Sequence, residues 1–480
     1  MDYFPPKNER SRIADYKRNE KIFLGDHFDA FTMRSTEFAK DYSRLKYVVC
    51  NFGGLLSKLS ADMLFQEFPV FTLGKEGDNA WLDEVMRDNK FKTQAYESAL
   101  EGSYRGDAVF RLRSENEHLI IEDINPSCYF PKVNENNLRA EPEYIDLAWV
   151  VSLGSEKKGL YQERHYKGRI ENSLYQLDNN NEIVSKLPFN QFYQDTLEVV
   201  ETGVDEFLVV HIPNYKINSR YFGINDYYDL MSLFFAINNR VTKIDNILDK
   251  HGDPILAVPD GFLDEEGKIK REAFGIVEVD TNEKQMIPQY IVWDAKLDSA
   301  FKEIEKLVEF LFMFSETSPS AFGLDKNGGA AESGRALKFK LLRTIAKTKR
   351  KQLYYDDGFK ELFLTAQKFA KAQKLKTKSG ASLTKEPQLL DITWVDGIIN
   401  DIQEVIDYEI QKIKAGLSSK VDSIQKLDGV SADEAKERLK EIRTEKEEEA
   451  KANAPTFKAA PEKRPFGVGV TNNEVANNGK

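Results

Sequence analysis

The sequence predicts an α+β fold, and three observations support this class. Strand patterns separated by turn residues recur between residues 108 and 212. Two helices with a heptad repeat of apolar residues occupy the middle of the chain, and a further long helix follows them. The chain has 480 residues, 41% of them hydrophobic, which is enough for roughly three structural units of about 150 residues each.

The N-terminal part of the chain mixes helical and strand patterns. Residues 1–40 are charged and aromatic without a clear period, which predicts an extended arm with a short helix. Apolar residues recur every three or four positions over 41–65, which predicts a helix with one buried face. That face would consist of Leu45, Val48, Phe52, Leu55, Leu59 and Met63. A second helix is predicted over 81–102, and strands are predicted over 108–112, 119–124, 143–152, 161–167, 170–177 and 206–212.

Two helices with a sustained heptad repeat are the strongest local pattern. The first is predicted over 225–251, after a capping residue at Asn225 or Asp226, and the second over 295–315. Their apolar positions alternate in steps of three and four residues, as in a coiled-coil seam. The seam of the first helix is formed by Leu230, Phe234, Ile237, Val241, Ile244 and Leu248, and that of the second by Leu297, Phe301, Ile304, Val308 and Leu311. Such a seam packs either within a local hairpin or against other subunits.

The remaining segments complete the predicted order of elements. They are an insertion with β-like patterns over 252–294, a loop of small residues over 316–333, a long helix over 334–374, a strand over 389–394, and helices over 398–415 and 431–451. Residues 452–480 carry little apolar content, so they are predicted to be disordered.

The charge balance limits the kinds of partner. The chain carries 79 acidic and 68 basic residues, a net charge of -11. Tight binding to nucleic acid relies on a basic surface that releases counterions, so a high-affinity DNA or RNA binder is not expected. Residues 335–351 depart from this balance, with eight basic residues and no acidic ones. They either form a solvated face or salt bridges to an acidic neighbour, or they contact the phosphates of a passing duplex. The candidates for phosphate contact are Arg335, Lys338, Arg343 and Lys347.

No pattern in the sequence predicts an active site, a metal site or a cofactor. Residues 329–336 have the outline of a P-loop, but they lack its chemistry. Arg335 and Ala336 stand where the phosphate-binding lysine and the Mg²⁺-binding hydroxyl are needed. The five histidines are scattered without metal-ligand spacing. We therefore expect a protein that is not an enzyme.

Cysteine content and hydropathy indicate the compartment. Cys50 and Cys128 are far apart in the sequence, which is typical of a protein from a reducing compartment. Residues 47–65 are too polar to span a membrane, and the N-terminus lacks the apolar core of a signal peptide. These features predict a soluble protein made in the cytoplasm.

Six segments in a consistent order carry a resemblance to a known family. They read LSADMLFQEFPVF, HIPNYKINSRYFGINDYYDL, DKHGDPILAVP, YIVWDAKLDSAF, FSETSPSAFGLD and ESGRALKFKLLRT. With this order and spacing, over about residues 15–417, the chain resembles the portal proteins of tailed bacteriophages, of the kind found in siphophages of Gram-positive hosts. The joint order of the segments, rather than any one of them, carries the resemblance.

The resemblance implies a portal-like subunit with an α/β wing, a two-helix stem, a small β-containing clip and a helical crown. The chain would divide into an N-terminal arm (1–40), the first part of the wing (41–223), stem helix 1 (224–251), the clip (252–294), stem helix 2 (295–315), the tunnel loop (316–333), the second part of the wing (334–397), the crown (398–451) and a disordered tail (452–480). It also implies a ring, usually of twelve subunits, in which the seams of the stem helices pack.

The resemblance further implies a role at one vertex of the capsid, where DNA enters and leaves through the ring. The tunnel loop would face the DNA with Lys326, Asn327, Gly328, Gly329, Ala330 and Ala331. The partners would be other copies of the chain, the large terminase, an adaptor or head-completion protein, the scaffold and major capsid proteins, and double-stranded DNA that passes non-specifically. No membrane partner and no cofactor are implied. The protein would be located in the virion and assembled in the host cytoplasm.

Two other functions are compatible with parts of the sequence. A DNA-packaging ATPase or nuclease would need a P-loop or an acidic metal cluster, and ATPase activity of the purified chain would favour it. A monomeric scaffold or adaptor protein would use its helical hairpin to pair with a partner's helix. The mass of the protein in solution separates this second function from a ring.

Overall fold

The computed structural model describes residues 3–31, 46–154, 157–252, 255–257, 289–291, 297–324, 334–394, 402–428, 430 and 432–452. The chain divides into two compact units, residues 1–398 and residues 399–480. Helices and antiparallel strands are both abundant in the described residues. The predicted α+β fold class is therefore confirmed.

The first unit contains most of the secondary structure. Its α-helices in the described residues are α1 (Arg10–Phe23), α2 (His27–Ala30), α3 (Phe52–Phe65), α4 (Asn79–Asp88), α5 (Phe91–Arg105), α6 (Phe189–Phe192), α7 (Met231–Gly252), α8 (Asp298–Phe314), α9 (Gly334–Lys340) and α10 (Leu342–Gln373). Its strands there are β1 (Val70–Thr72), β2 (Asp107–Glu115), β3 (His118–Ile124), β4 (Tyr129–Pro131), β5 (Ile145–Ser152), β6 (Lys158–His165), β7 (Arg169–Leu177), β8 (Ile183–Leu187), β9 (Val199–Glu201), β10 (Val209–Pro213), β11 (Ile255–Ala257), β12 (Gln289–Ile291) and β13 (Asp391–Thr393).

The N-terminal region is part of the core and not an extended arm. In α1, the side chains of Tyr16, Asn19 and Ile22 are buried. The Tyr16 hydroxyl donates to Asp107 in β2, and the Asn19 amide donates to the Tyr104 carbonyl oxygen at 2.8 Å. The prediction of an arm is wrong for these residues. The buried stripe of α1 includes an asparagine and a tyrosine, so it shows no clear apolar period in the sequence.

The helix predicted over 41–65 is shorter than expected and buries a different face. It begins at Phe52, and the start of the predicted helix lies outside the described residues. Leu55, on the predicted buried face, is 41% exposed, whereas Gly53 is buried. A Cβ atom on Gly53 would lie 2.8 Å from Cγ2 of Ile22. The glycine therefore lets α1 pack closely against a side of α3 that the apolar period does not mark.

Two antiparallel sheets carry most of the strands. The smaller sheet has the order β10-β2-β3, with Val209 opposite Arg111 and Val109 opposite Ile124. The larger sheet has the order β4-β5-β6-β7-β8, and β9 also pairs with β7. Each strand predicted between residues 108 and 212 overlaps one of these strands, so those predictions are confirmed. Their alternating apolar and polar residues made them recognisable in the sequence.

The main core joins elements that are far apart in the sequence. It contains residues of α3, α4, α5, β2, β3, β10 and α10. The ring of Phe91 lies 5.1 Å from that of Phe359 and 4.9 Å from that of Phe363, measured between centroids. A Cβ atom on Gly358 would lie 2.5 Å from Ile212, so this glycine lets α10 approach β10. The long helix α10 therefore packs against strands from the N-terminal half of the unit.

The first heptad helix begins later in the chain than predicted. Helix α7 begins at Met231 and not at Asn225, because residues 226–230 form turns. The side chain of Asp226 does not cap the helix, since it binds Lys351 at 2.6 Å. The long helix predicted over 334–374 is interrupted at Leu341, between α9 and α10.

The insertion between α7 and α8 is described only in part. Strands β11 and β12 pair antiparallel, with Ile255 opposite Ile291. This pairing agrees with the predicted β character of the insertion, and residues 258–288 lie outside the described residues.

The second unit is helical where it is described. It contains α11 (Ile402–Lys414), α12 (Lys420–Asp428) and α13 (Ala432–Ala452). The hydroxyl of Ser423 donates to the buried carboxylate of Glu409 at 3.1 Å and so ties α12 to α11. Helices α11 and α13 confirm the helical predictions over 398–415 and 431–451, whereas α12 was not predicted. The predicted disordered tail lies outside the described residues after Ala452.

Candidate functional site

The predicted seam packs inside the chain at one end of the heptad helices. Helices α7 and α8 contact each other, and both contribute to one apolar core with α1, α3 and α5. The buried seam residues of this core are Leu230, Phe234, Ile237 and Leu311, and the half-buried ones are Val241 and Val308. The seam at this end is therefore the interior of a hairpin in one subunit. For the four buried residues, the local hairpin is therefore the predicted alternative that applies, whereas Val241 and Val308 remain predicted contacts with a second copy of the chain.

The other end of the seam is more open. Ile244 is buried, but Leu248 on α7 and Phe301 on α8 are exposed. Leu297 and Ile304 are half-buried. These positions remain predicted contacts with a second copy of the chain.

A different face of α8 carries exposed apolar side chains. Phe310, Met313 and Phe314 are 43%, 65% and 56% exposed. Successive residues of an α-helix are rotated by about 100°, which places these three side chains on the side of α8 opposite to Val308 and Phe301 of the seam. The rings of Phe310 and Phe314 lie 6.3 Å apart, so they form one patch. We call Phe310, Met313 and Phe314 the outer face of α8. Apolar groups this exposed and this close together are typical of an interaction surface.

A buried ionic cluster lies at the N-terminal end of the heptad hairpin. The carboxylate of Asp226 accepts a hydrogen bond from Lys351 Nζ at 2.6 Å and from the Ser103 hydroxyl at 2.6 Å. The Asn214 amide donates to its other oxygen at 3.1 Å, and Lys347 Nζ lies 3.4 Å from it. We call these five residues the Asp226 cluster. Its members come from α5 (Ser103), the residue after β10 (Asn214), the turn before α7 (Asp226) and α10 (Lys347 and Lys351), so the cluster joins four parts of the unit.

Burial and the neighbouring lysines shift the pKa of Asp226 in opposite directions. Burial alone would raise the pKa of Asp226, but the ammonium groups of Lys347 and Lys351 hold that pKa well below its usual range. The pKa of Lys351 is lowered to about 8, because burial and the neighbouring charge of Lys347 together outweigh the attraction of Asp226. The carboxylate is therefore ionised at neutral pH and serves two cations at once.

Helix α10, which supplies the two lysines of the Asp226 cluster, also contacts the C-terminal end of α8. Lys347 Nζ donates to the Ser315 carbonyl oxygen at 3.1 Å. Glu316 forms ion pairs with Arg343 at 3.1 Å and with Arg350 at 2.6 Å. Basic side chains of α10 thus hold both ends of the chain segment that forms the heptad hairpin, one at Asp226 and the other just after α8.

The structure assigns different positions to the predicted phosphate contacts. Lys347 is buried and bound within the Asp226 cluster, so its prediction as a phosphate contact is wrong. Arg343 is exposed and paired with Glu316. Lys338 is half-buried in α9, and the side chain of Arg335 lies outside the described residues. The predicted tunnel-loop residues Lys326, Asn327, Gly328, Gly329, Ala330 and Ala331 also lie outside the described residues.

The side chains of a histidine–aspartate pair, His211 and Asp107, are largely buried and connect elements of the fold. His211 Nε2 lies 2.7 Å from Asp107, and Asp107 also binds the Tyr16 hydroxyl and the Gly223 amide. Asp107 and Tyr16 are buried, and the His211 ring is stacked on those of Tyr129 and Tyr221. This network therefore ties α1 to β2 and β10. Among the described residues there is no group of three or more potential metal ligands. In the same residues, no helix is long and apolar enough to cross a membrane.

Sequence reasoning did not find the Asp226 cluster or the outer face of α8. Ser103, Asn214 and Asp226 are ordinary polar residues in sequence, and nothing local marks them as neighbours. The run of eight basic residues over 335–351 was the one available signal, because such a run needs counter-charges when its helix is buried. The first prediction for that run was a solvated face or salt bridges to an acidic neighbour, and Lys351 and Arg350 form such salt bridges to Asp226 and Glu316.

Comparison with known proteins gives the family. The sequence model of the family described as "Phage portal protein, SPP1 Gp6-like" matches residues 6–452. Among curated proteins no match is found. A solved chain from the structure titled "Neck of empty GTA particle computed with C6 symmetry" is similar over 82% of this chain and 94% of that chain, with 10% sequence identity and a TM-score of 0.46. Because the family match spans nearly the whole sequence, the chain belongs to the SPP1 Gp6-like family of phage portal proteins.

Proposed function

We propose that this chain is the portal vertex protein of a tailed phage, and that its copies form a ring-shaped channel for packaging DNA into the capsid and ejecting it. Membership of the portal family supports this proposal. The six ordered segments of the sequence support a siphophage of a Gram-positive host. Among the structural observations, the exposed outer face of α8 gives the main support for a ring. The proposed role of the protein is structural and not catalytic.

The difference in burial between the two sides of α8 supports a contact with a second copy of the chain. One side is already covered by α7 within the same subunit, whereas Phe310, Met313 and Phe314 on the other side are exposed. Leaving these groups in water forgoes about 25 cal/mol for each Å² of apolar surface. A ring is built from heterologous contacts, in which this face meets a different face of the next subunit and the rotation closes. The half-open end of the seam, at Leu248 and Phe301, lies on the opposite side of α8 and would form a separate contact between subunits.

The proposed contacts with DNA are many and weak. The tunnel loop over 316–333 would face the duplex, with Lys326 as its basic residue and small residues that let the backbone shift. Arg335, Lys338 and Arg343 are the proposed phosphate contacts, and Lys347 is not among them because it is buried. A protein that lets DNA slide must hold it loosely, in agreement with the net charge of -11.

The proposed partners follow the proposed parts of the subunit. The clip over 252–294, with the β11–β12 pair at its base, would dock the large terminase and then the adaptor or head-completion protein. The wing and crown would meet the scaffold and major capsid proteins during assembly. The protein would be assembled in the host cytoplasm and remain in the virion.

A mass measurement on the purified chain tests the proposal. We expect a ring of roughly twelve 55.0 kDa subunits by light scattering, with a central hole in negative-stain images. A stable monomer at micromolar concentration would favour the scaffold or adaptor function instead. ATP hydrolysis by the same preparation would favour the packaging enzyme.

Deletion of Gly328–Ala331 tests the tunnel loop. We expect rings to assemble normally but to package less DNA, because a shorter loop cannot follow the duplex as it passes. DNA protected from nuclease in assembled particles is the measurement. Undiminished packaging by rings of normal mass would contradict the tunnel-loop role without affecting the ring itself.

A further inference from the structure

A second surface with clear chemistry lies beside β1, away from the Asp226 cluster. It is a groove of about 580 Å³. Its apolar floor is formed by Phe68, Pro69, Val70, Phe71 and Met86. Its rim carries the cationic side chains of Arg87, Lys90 and Lys92 and the carboxylate of Asp83. We call it the β1 groove. Its lining combines an apolar floor with an excess of two positive charges, in a chain whose net charge is -11.

The backbone beside the groove has an open edge. Strand β1 pairs antiparallel with β13, with Val70 opposite Thr393, and the two form a two-stranded sheet. Among the described strands, no other pairs with β1. Val70 is 61% exposed. A strand edge with unpaired amide and carbonyl groups binds an extended peptide as an additional strand, and neighbouring pockets select its side chains.

The backbone at Lys90 is in a conformation that does not suit lysine. Lys90 joins α4 to α5 with φ 51° and ψ 40°, in the left-handed region that glycine and asparagine adopt more easily. Its amide donates to the Arg87 carbonyl oxygen at 3.0 Å, and its own carbonyl oxygen accepts from the Thr93 amide at 3.0 Å. The turn itself therefore needs no lysine side chain. What the lysine adds is a positive charge at the rim of the groove.

Lys92 is placed directly over the apolar floor. Its ammonium group lies 5.5 Å from the centroid of the Phe68 ring, within cation–π distance. The Phe68 ring in turn lies 5.2 Å from that of Phe71. The positive charge is thus held beside the position that an apolar side chain of a ligand would occupy.

We propose that the β1 groove binds an extended acidic peptide segment of another protein, with an apolar side chain on the floor and Asp or Glu side chains against the rim. Opposite charge at the rim gives the complementarity, and the edge of β1 gives the backbone hydrogen bonds. The phosphates of a nucleic acid would pair with the cations at the rim. They would gain no apolar contact from a floor that includes proline, valine and methionine. The proposal does not depend on ring formation.

Fluorescence anisotropy with two labelled twelve-residue peptides tests the proposal on the full-length chain. The acidic probe has a central Phe-Leu pair flanked by Glu and Asp, and the matched probe has Lys in their place. We expect the acidic probe to bind and the basic probe not to bind. Lys90→Asn combined with Lys92→Gln should weaken binding of the acidic probe about tenfold, since each rim charge contributes about as much as an exposed ion pair.

The control is Lys17→Gln combined with Lys58→Gln, which removes two exposed charges elsewhere and should leave the affinity unchanged. The charge-reversed pair Lys90→Glu and Lys92→Glu should prefer the basic probe. Equal binding of both probes, or equal affinity of the groove and control variants, would overturn the proposal. So would a labelled single-stranded oligonucleotide that binds the groove in preference to the acidic peptide.

Discussion

Replacing Asp226 with alanine is expected to destabilise the first unit by about 3–5 kcal/mol, the usual cost of removing one partner from a buried ion pair. Asp226 is the shared acceptor of Lys351, Lys347, Ser103 and Asn214. Its loss would leave two lysines in the interior without a counter-charge. The unfolding free energy from urea denaturation, followed by circular dichroism, is the measurement.

An exposed ion pair provides the control for this prediction. Glu303→Gln removes the partner of Arg240 on the surface of the heptad hairpin, where both side chains are more than 40% exposed. Its cost should be below about 1 kcal/mol, because such pairs are screened by water. If Asp226→Ala costs no more than Glu303→Gln, the cluster does not hold the hairpin. Asp226→Leu combined with Lys347→Met and Lys351→Met should recover much of the loss, because it removes the buried charges together.

The cluster also predicts how stability depends on acid. Because the pKa of Asp226 is lower in the folded chain than in the unfolded chain, its contribution is complete above the unfolded value of about 4. The contribution is lost as the pH falls below that value towards the folded pKa. The wild-type chain should therefore lose more unfolding free energy between pH 5 and pH 3 than Asp226→Asn does.

Charging the outer face of α8 is expected to abolish the ring while leaving the subunit folded. In the double variant Phe310→Asp and Phe314→Asp, each interface would lose roughly 2 kcal/mol for each phenylalanine and gain two carboxylates that must be desolvated. The side chains are exposed in the subunit, so its own core is not disturbed. Light scattering should show a monomer, and circular dichroism should show the helical content of the wild type.

A matched substitution separates this effect from a general loss of apolar surface. Leu24→Asp changes an exposed leucine that follows α1, and rings of normal mass are expected from this variant. Normal rings from the double variant on α8 would show that the outer face is not the contact between subunits. The open end of the seam, at Leu248 and Phe301, would then be the next contact to test.

The elements that could be predicted are those encoded by local periodicity. The strands between residues 108 and 212 alternate apolar and polar residues, and the heptad helices repeat every seven residues, so both were predicted near their observed positions. Prediction failed where a polar or small residue is buried. Asn19 is buried in α1 although asparagine is mostly exposed, and the buried Gly53 in α3 has no apolar side chain that would mark a helix face.

The candidate site was predicted only in outline. The run of basic residues over 335–351 was recognised, but its members divide between the interior and the surface. Lys347 and Lys351 are buried, whereas Arg343 remains exposed. On a helix without an apolar stripe over this stretch, the sequence offers no way to tell which side faces the core.

By itself, the sequence determined the α+β class, the order of the elements and the resemblance to portal proteins, because each depends on patterns within short segments or on the order of those segments. Only the tertiary structure decided which face of α8 is exposed and which lysines are buried. Asp226 and Lys351 are 125 residues apart in the chain, and their 2.6 Å contact exists because α10 packs beside the start of the heptad hairpin. Burial of a charge depends on its neighbours in space, which a local pattern does not specify.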